Sequence, residues 1–118
     1  VGGGVVWRVE TGGWQGMAEA LRNLAPGMKD RALTGAENYA QIPALGERGK
    51  LRTVRFLSHL DGLLADSAYL AGDRFSAADI MAMVVVDFAG WLKISLPAEA
   101  AHALRWYAAV SSRPSAKL

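Results

Sequence analysis

Hydrophobic positions recur at three- and four-residue steps along most of the chain, and no alternating run long enough for a strand persists. This pattern predicts helices joined by short connections. A first helical region spans about Val5 to Leu24 and carries Val6, Trp7, Val9, Trp14, Met17, Ala20, Leu21 and Leu24. Gly12 and Gly13 in its middle each weaken it by roughly 1 kcal/mol relative to alanine, so a bend or break is expected there. Pro26-Gly27 ends it, and the polar stretch from Met28 to Pro43 reads as a short helix or a loop. A second, long helix is expected from Pro43 to about Ala65. Leu51, Val54, Leu57, Leu60 and Leu64 follow at three- and four-residue steps, which puts them on one face.

The sharpest local signal is Phe75-Ser76-Ala77-Ala78-Asp79-Ile80. Ser76 suits an N-cap, and Asp79 three residues on can reach back to its backbone N–H, which is the pattern of a capping box. Phe75 and Ile80 stand where a hydrophobic staple would close around that turn. A carboxylate in the first turn also suits the positive end of the helix dipole. Loss of Ser76 or Asp79 is expected to cost about 1 kcal/mol or more. The helix so opened is apolar nearly all round from Ile80 to Leu92, which predicts a central helix enclosed by its neighbours. A last helix is expected from about Pro97, with Ala101, Leu104, Trp106, Tyr107 and Val110, until Arg113-Pro114 breaks it.

Composition narrows the class. A chain of 118 residues, 52% of them hydrophobic and four of them Trp, suffices for one all-α domain spanning residues 1–118. Val1-Gly2-Gly3-Gly4 at its start follows no strand and reads as a frayed or leftover end. Thirteen Lys and Arg against eleven Asp and Glu make no case for nucleic acid. The absence of Cys excludes disulfides, thiolate metal sites and a cysteine nucleophile within these residues. The most apolar stretch, Ile80 to Leu92, is interrupted by Asp87 and falls short of the ~18 residues a membrane-spanning helix needs, so no membrane association is expected.

Little in the chain suggests chemistry of its own. His59 and His102 lie far apart and neither has a carboxylate at the helical spacing of zinc sites, so no metal is expected. Ser58, His59 and Asp61 sit one and two apart on a helix and point in different directions, which breaks any nucleophilic relay. Asp79 and Asp87 are the carboxylates expected to be buried. Capping suffices for Asp79, whereas Asp87 calls for a donor, a cation or a cleft. Arg48, Lys50, Arg52 and Arg55 are read as an ion-paired or solvated face. Trp7 and Trp14 are seven residues apart and with Met17 would form either a wall for an apolar ligand or ordinary core or subunit interface.

Ala71-Gly72-Asp73-Arg74-Phe75-Ser76-Ala77-Ala78-Asp79-Ile80 resembles the start of the buried central helix in the C-terminal domain of glutathione transferases. Leu60-Asp61-Gly62-Leu63-Leu64 with Tyr69-Leu70-Ala71-Gly72 upstream is similar to that family's preceding helix and connection. Leu104-Arg105-Trp106-Tyr107, Val110 and Arg113-Pro114 downstream are similar to its last helices. The resemblance implies an all-helical bundle with one buried central helix, the part of the enzyme that supplies most of the second substrate's apolar site. It further implies a thioredoxin-like N-terminal domain, absent here, that would bind glutathione as co-substrate; this domain alone would bind no cofactor and hold no catalytic residue. Ile42-Pro43-Ala44-Leu45 is only a false match to the cis-proline strand of that absent domain, because a helix follows directly. By the same resemblance Trp7, Trp14 and Met17 would meet a hydrophobic electrophile, the first helical region would join a homodimer surface, and the protein would be cytoplasmic. Domains of this kind also serve as non-catalytic interaction modules, which is the competing expectation.

Overall fold

The computed structural model describes residues 8–30, 32, 33 and 35–113. Trp7 and the Val1–Gly4 end lie outside them. Among the described residues there are four α-helices and no strand: α1 (Gln15–Leu24), α2 (Pro43–Leu63), α3 (Ala77–Ala89) and α4 (Ala101–Ser111). A π-helical segment, Val9–Trp14, leads into α1 without a break. The weakness expected at Gly12-Gly13 is therefore taken up by a widened turn, the form in which a helix absorbs an extra residue. Pro26–Met28 forms a single tight turn, and the residues between it and α2 are irregular. Two amide side chains hold that connection. Gln41 Nε2 donates to the carbonyls of Ala25 (2.7 Å) and Arg22 (3.1 Å), and Asn23 Oδ1 accepts from the Ile42 N–H (2.9 Å).

The seam between α1 and α2 is built on small residues. Gly49 and Thr53 are buried on α2 against Gly16 and Ala20 of α1, Gly46 is buried against the Leu24 side chain, and Phe56, Leu57 and Leu60 continue the same face. This corrects the predicted stripe. Leu57, Leu60 and Leu64 are buried, but Leu51 is 72% exposed and Val54 is also exposed. Successive three-residue steps drift by about 60° around a helix of 3.6 residues per turn, which carries Leu51 to the far side from Leu60.

The central helix α3 buries Ala78, Ala82, Val85, Val86 and Ala89 against the π segment and α4. Its other side is open, with Ile80 47% exposed and Trp91, in the tight turn Gly90–Leu92 that follows, 72% exposed. The central helix is thus enclosed along one side rather than all round: besides the π segment it has only three helical neighbours among the described residues, so an apolar stripe stays uncovered. The last helix starts at Ala101 rather than near Pro97. Pro97 heads a turn closed by the Ala100 N–H at 3.0 Å, and the cap comes from Asp61 of α2, whose Oδ1 accepts the Ala103 N–H at 2.9 Å. Asp61 is thereby bonded to α4, while the Ser58 hydroxyl donates to the Val54 carbonyl at 3.0 Å.

Candidate functional site

The helix start at Phe75–Ile80 is where the bundle is tied together. Ser76 is the N-cap of α3 and its N–H donates to Asp79 Oδ2 at 2.9 Å, with the Ser76 hydroxyl 3.3 Å from the same oxygen. Asp79 is fully buried, and its other oxygen accepts two further bonds: from the Leu70 N–H at 3.0 Å and from Trp106 Nε1 at 2.8 Å. One carboxylate thus joins the α2–α3 connection, the first turn of α3 and the buried indole of α4. The connection itself turns tightly at Gly72, whose φ of +129° favours glycine, with paired bonds between Tyr69 and Gly72. Phe75 lies edge-on to Tyr69, and the Arg113 guanidinium sits 3.8 Å from its ring centroid. Nothing in this arrangement leaves Asp79 free to act on a ligand.

The candidate binding site lies elsewhere, between α1 and the C-terminal end of α3. A cleft of about 250 Å³ is walled by Trp14, Met17, Leu21, Met28, Phe88 and Trp91. Trp14 is 37% exposed at its rim, while Met17 is only 2% exposed and belongs to the core as well as to the floor. Phe88 and Trp91 stack with centroids 4.8 Å apart and ring planes 14° from parallel. Of the residues lining this cleft only Arg22 carries a charge, so it offers dispersion, stacking and area burial rather than proton transfer. The structure brings together Trp14 and Met17 from the sequence-based set. Phe88 and Trp91, which pattern alone assigned to a buried helix, form the opposite wall. An apolar helix longer than its covered face could have signalled this, but not which end stays open.

Charges cluster away from that cleft. Arg48 and Arg52 of α2 both bond to Glu19 of α1: Arg48 Nε to Oε1 and an Arg52 guanidinium N–H to Oε2, each at 3.0 Å, with a further Arg48 N–H on Oε1. Burial pushes the Glu19 carboxyl up, but the hydrogen bonds and charges of the two arginines outweigh it and hold the group below the ordinary range. Arg52 also donates to the Thr11 carbonyl at 2.8 Å, fastening the π segment to α2. The basic cluster is therefore partly ion-paired, through a carboxylate on another helix.

Asp87 is exposed, contrary to the burial expected of it, because it stands on the open side of α3. It accepts the Tyr107 hydroxyl of α4. That bond, with burial and the negative charge, pushes Tyr107 up from 10.0 to about 12. The folded chain keeps this proton where the unfolded chain loses it, so the contribution to stability is present below about pH 10 and fades as pH rises toward 12. An ultraviolet absorbance titration should place one tyrosine step at the alkaline end, and Tyr107→Phe should remove it. An unchanged curve would dismiss the Asp87 bond.

Residues 32–114 match the family described as the C-terminal domain of glutathione S-transferase. Over 72 residues the chain is 33% identical to glutathione S-transferase 2 of Saccharomyces cerevisiae, a stretch covering 61% of this chain and 31% of that protein. It superimposes on the crystal structure of Gtt2 from Saccharomyces cerevisiae with a TM-score of 0.83 at 26% identity, covering 96% of this chain and 52% of that one. With a class Gtt2 glutathione S-transferase of Vibrio parahaemolyticus the TM-score is 0.76 at 31% identity, over 96% of this chain and 49% of the other. The chain thus spans about half the length of these solved relatives and under a third of the curated one.

Proposed function

This chain belongs to the family of glutathione S-transferase C-terminal domains, and from that premise we propose that it forms the apolar, second-substrate half of a transferase active site. The observation that carries this reading is the cleft between α1 and α3, with Trp14 and Met17 on one side and the stacked Phe88 and Trp91 on the other. Such aromatic and thioether walls suit a flat hydrophobic electrophile, whereas activating a thiol needs donors or positive charge held at the sulfur, which these four side chains do not supply. A thioredoxin-like domain supplying glutathione and its activation would complete the enzyme. Support for such a partner is that the chain spans about half of its solved relatives. Trp7 is proposed as a further contributor to the hydrophobic site. A homodimer using the first helical region and a cytoplasmic location complete the proposal; among the described residues no helix is long and apolar enough to cross a membrane.

The test is steady-state conjugation of glutathione to an aromatic halide by the complete protein. Trp14→Ala and Trp91→Ala should each raise KM for the halide about tenfold, as expected for losing one aromatic wall, and leave KM for glutathione unchanged. Unchanged halide kinetics in both variants would refute the cleft as the substrate site. A complete protein with no conjugating activity, in which Trp91→Ala instead abolishes a protein–protein contact, would establish the interaction-module reading. The exposure of Ile80 on α3 and of Trp91 in the turn that follows it is the observation favouring that alternative.

A further inference from the structure

A hollow of about 350 Å³ opens between the C-terminal half of α3 and α4, and it shares no lining residue with the aromatic cleft. Its apolar surface comes from Val86, Ile94, Leu96 and Leu104, and its polar groups from Asp87, Ser95 and Tyr107. Backbone geometry builds it. Lys93 takes a left-handed φ of +61°, and the Ile94 N–H closes on the Ala89 carbonyl at 3.0 Å, so the chain doubles back and sets Ile94 and Leu96 beside α3. Gly90 keeps the space open, since nothing stands within 4 Å of a Cβ added there.

Asp87 has the wrong sign of charge for its place. The C-terminal end of a helix repels a carboxylate and favours a cation, yet the last turn of α3 holds no basic residue. The Tyr107 hydroxyl occupies Asp87 Oδ1, and among the described residues nothing donates to Oδ2 or forms an ion pair with the group. The arginines of α4 and of the residues just after it are engaged elsewhere: Arg105 donates to the carbonyls of Leu64 and Ser67, and Arg113 lies over the Phe75 ring. No Lys, Arg or His lines the hollow. An open carboxylate oxygen beside an aromatic ring and apolar walls is a setting that recognises an ammonium ion with a hydrophobic body. We infer that this hollow binds a small organic cation, an alkyl- or arylalkyl-ammonium. Its charged group lies at Asp87 beside the Tyr107 ring, and its apolar body lies against Val86, Ile94, Leu96 and Leu104. The inference does not depend on the proposed transferase role, because the two sites have no residue in common.

The experiment is calorimetric titration of the purified protein, at neutral pH, with phenethylammonium and with 2-phenylethanol, which keeps the ring and lacks the charge. The ammonium should bind about tenfold more tightly than the alcohol, the worth of a charged hydrogen bond. Asp87→Asn, which keeps an acceptor for the Tyr107 hydroxyl, should remove that advantage, and Asp87→Glu should retain most of it. Gly90 has helical backbone angles that any residue adopts, so Gly90→Leu should fill the hollow and weaken both ligands together. Added salt should weaken the ammonium alone. Equal affinities for the two ligands overturn the inference, as does ammonium affinity untouched by Asp87→Asn in a variant that melts with the parent protein. Should Asp87→Asn melt much earlier, Gly90→Leu decides, and unchanged binding there overturns the inference. Affinity lost to Trp91→Ala but not to Gly90→Leu would place the ligand in the aromatic cleft and overturn it too.

Discussion

Asp79→Ala should lower the unfolding free energy by about 4 kcal/mol, the largest effect of any single polar substitution in this chain. The reason is the number of donors left behind. Without the carboxylate, the N–H groups of Leu70 and Ser76 and the indole N–H of Trp106 lose an acceptor in a region closed to water. Each buried donor so stranded costs about 1–3 kcal/mol, reduced where a water can enter the space the side chain vacates. Asp79→Asn keeps the shape and one acceptor oxygen but turns an amide toward either Ser76 or Trp106, both donors, so a loss of about 2 kcal/mol is expected. Ser76→Ala should cost about 1 kcal/mol, since only its hydroxyl is removed. Urea denaturation followed by tryptophan fluorescence would measure all three, with the slope of the transition unchanged. A midpoint for Asp79→Ala no lower than that of Ser76→Ala would overturn the tie between the helix start and α4.

Gly49→Ala should be the other severe substitution, losing about 3 kcal/mol although alanine is the better helix former by roughly 1 kcal/mol. A Cβ at position 49 would stand 2.5 Å from the Ala20 nitrogen, 2.6 Å from the Gly16 oxygen and 3.0 Å from the Ala20 Cα. These are backbone atoms of α1 and cannot rotate away, so the two helices must separate along a seam that also holds Phe56 against Gly13. Gly62 is the control. It lies in the last turn of α2 with nothing within 4 Å of an added Cβ. Gly62→Ala should therefore raise stability by about 0.5–1 kcal/mol through helix propensity alone. Thermal melts that move both variants in the same direction would contradict the close seam.

The gap between pattern and packing is instructive at particular residues. Leu51 and Leu60 look equivalent to a periodicity argument, but only Leu60 faces a neighbour. Small residues, which a hydrophobic count overlooks, mark the closest helix contact at Gly16, Gly46 and Gly49. Asp61 reads as one more polar residue on α2 until α4 presents its Ala103 N–H to it across 42 positions. Arg48 and Arg52 read from the sequence only as an ion-paired or solvated face, and their shared partner, Glu19 on another helix, came from the packing. The aromatic cleft was half legible, through Trp14 and Met17. Its other wall depends on which end of α3 the remaining helices fail to cover.

The amino-acid order by itself determined the helical class, the C-terminal end of α1, both ends of α2 to within a few residues and the launch of α3 at Ser76. These follow from interactions between residues at most a few positions apart, whose energies are set by propensity, capping and backbone freedom. Tertiary structure alone decided which flank of α2 is buried, that Asp79 also holds Leu70 and Trp106, and that Phe88 and Trp91 face an open cleft. Those outcomes depend on contacts between segments far apart in the chain. No local preference specifies how closely two helices approach or what remains uncovered once they have packed.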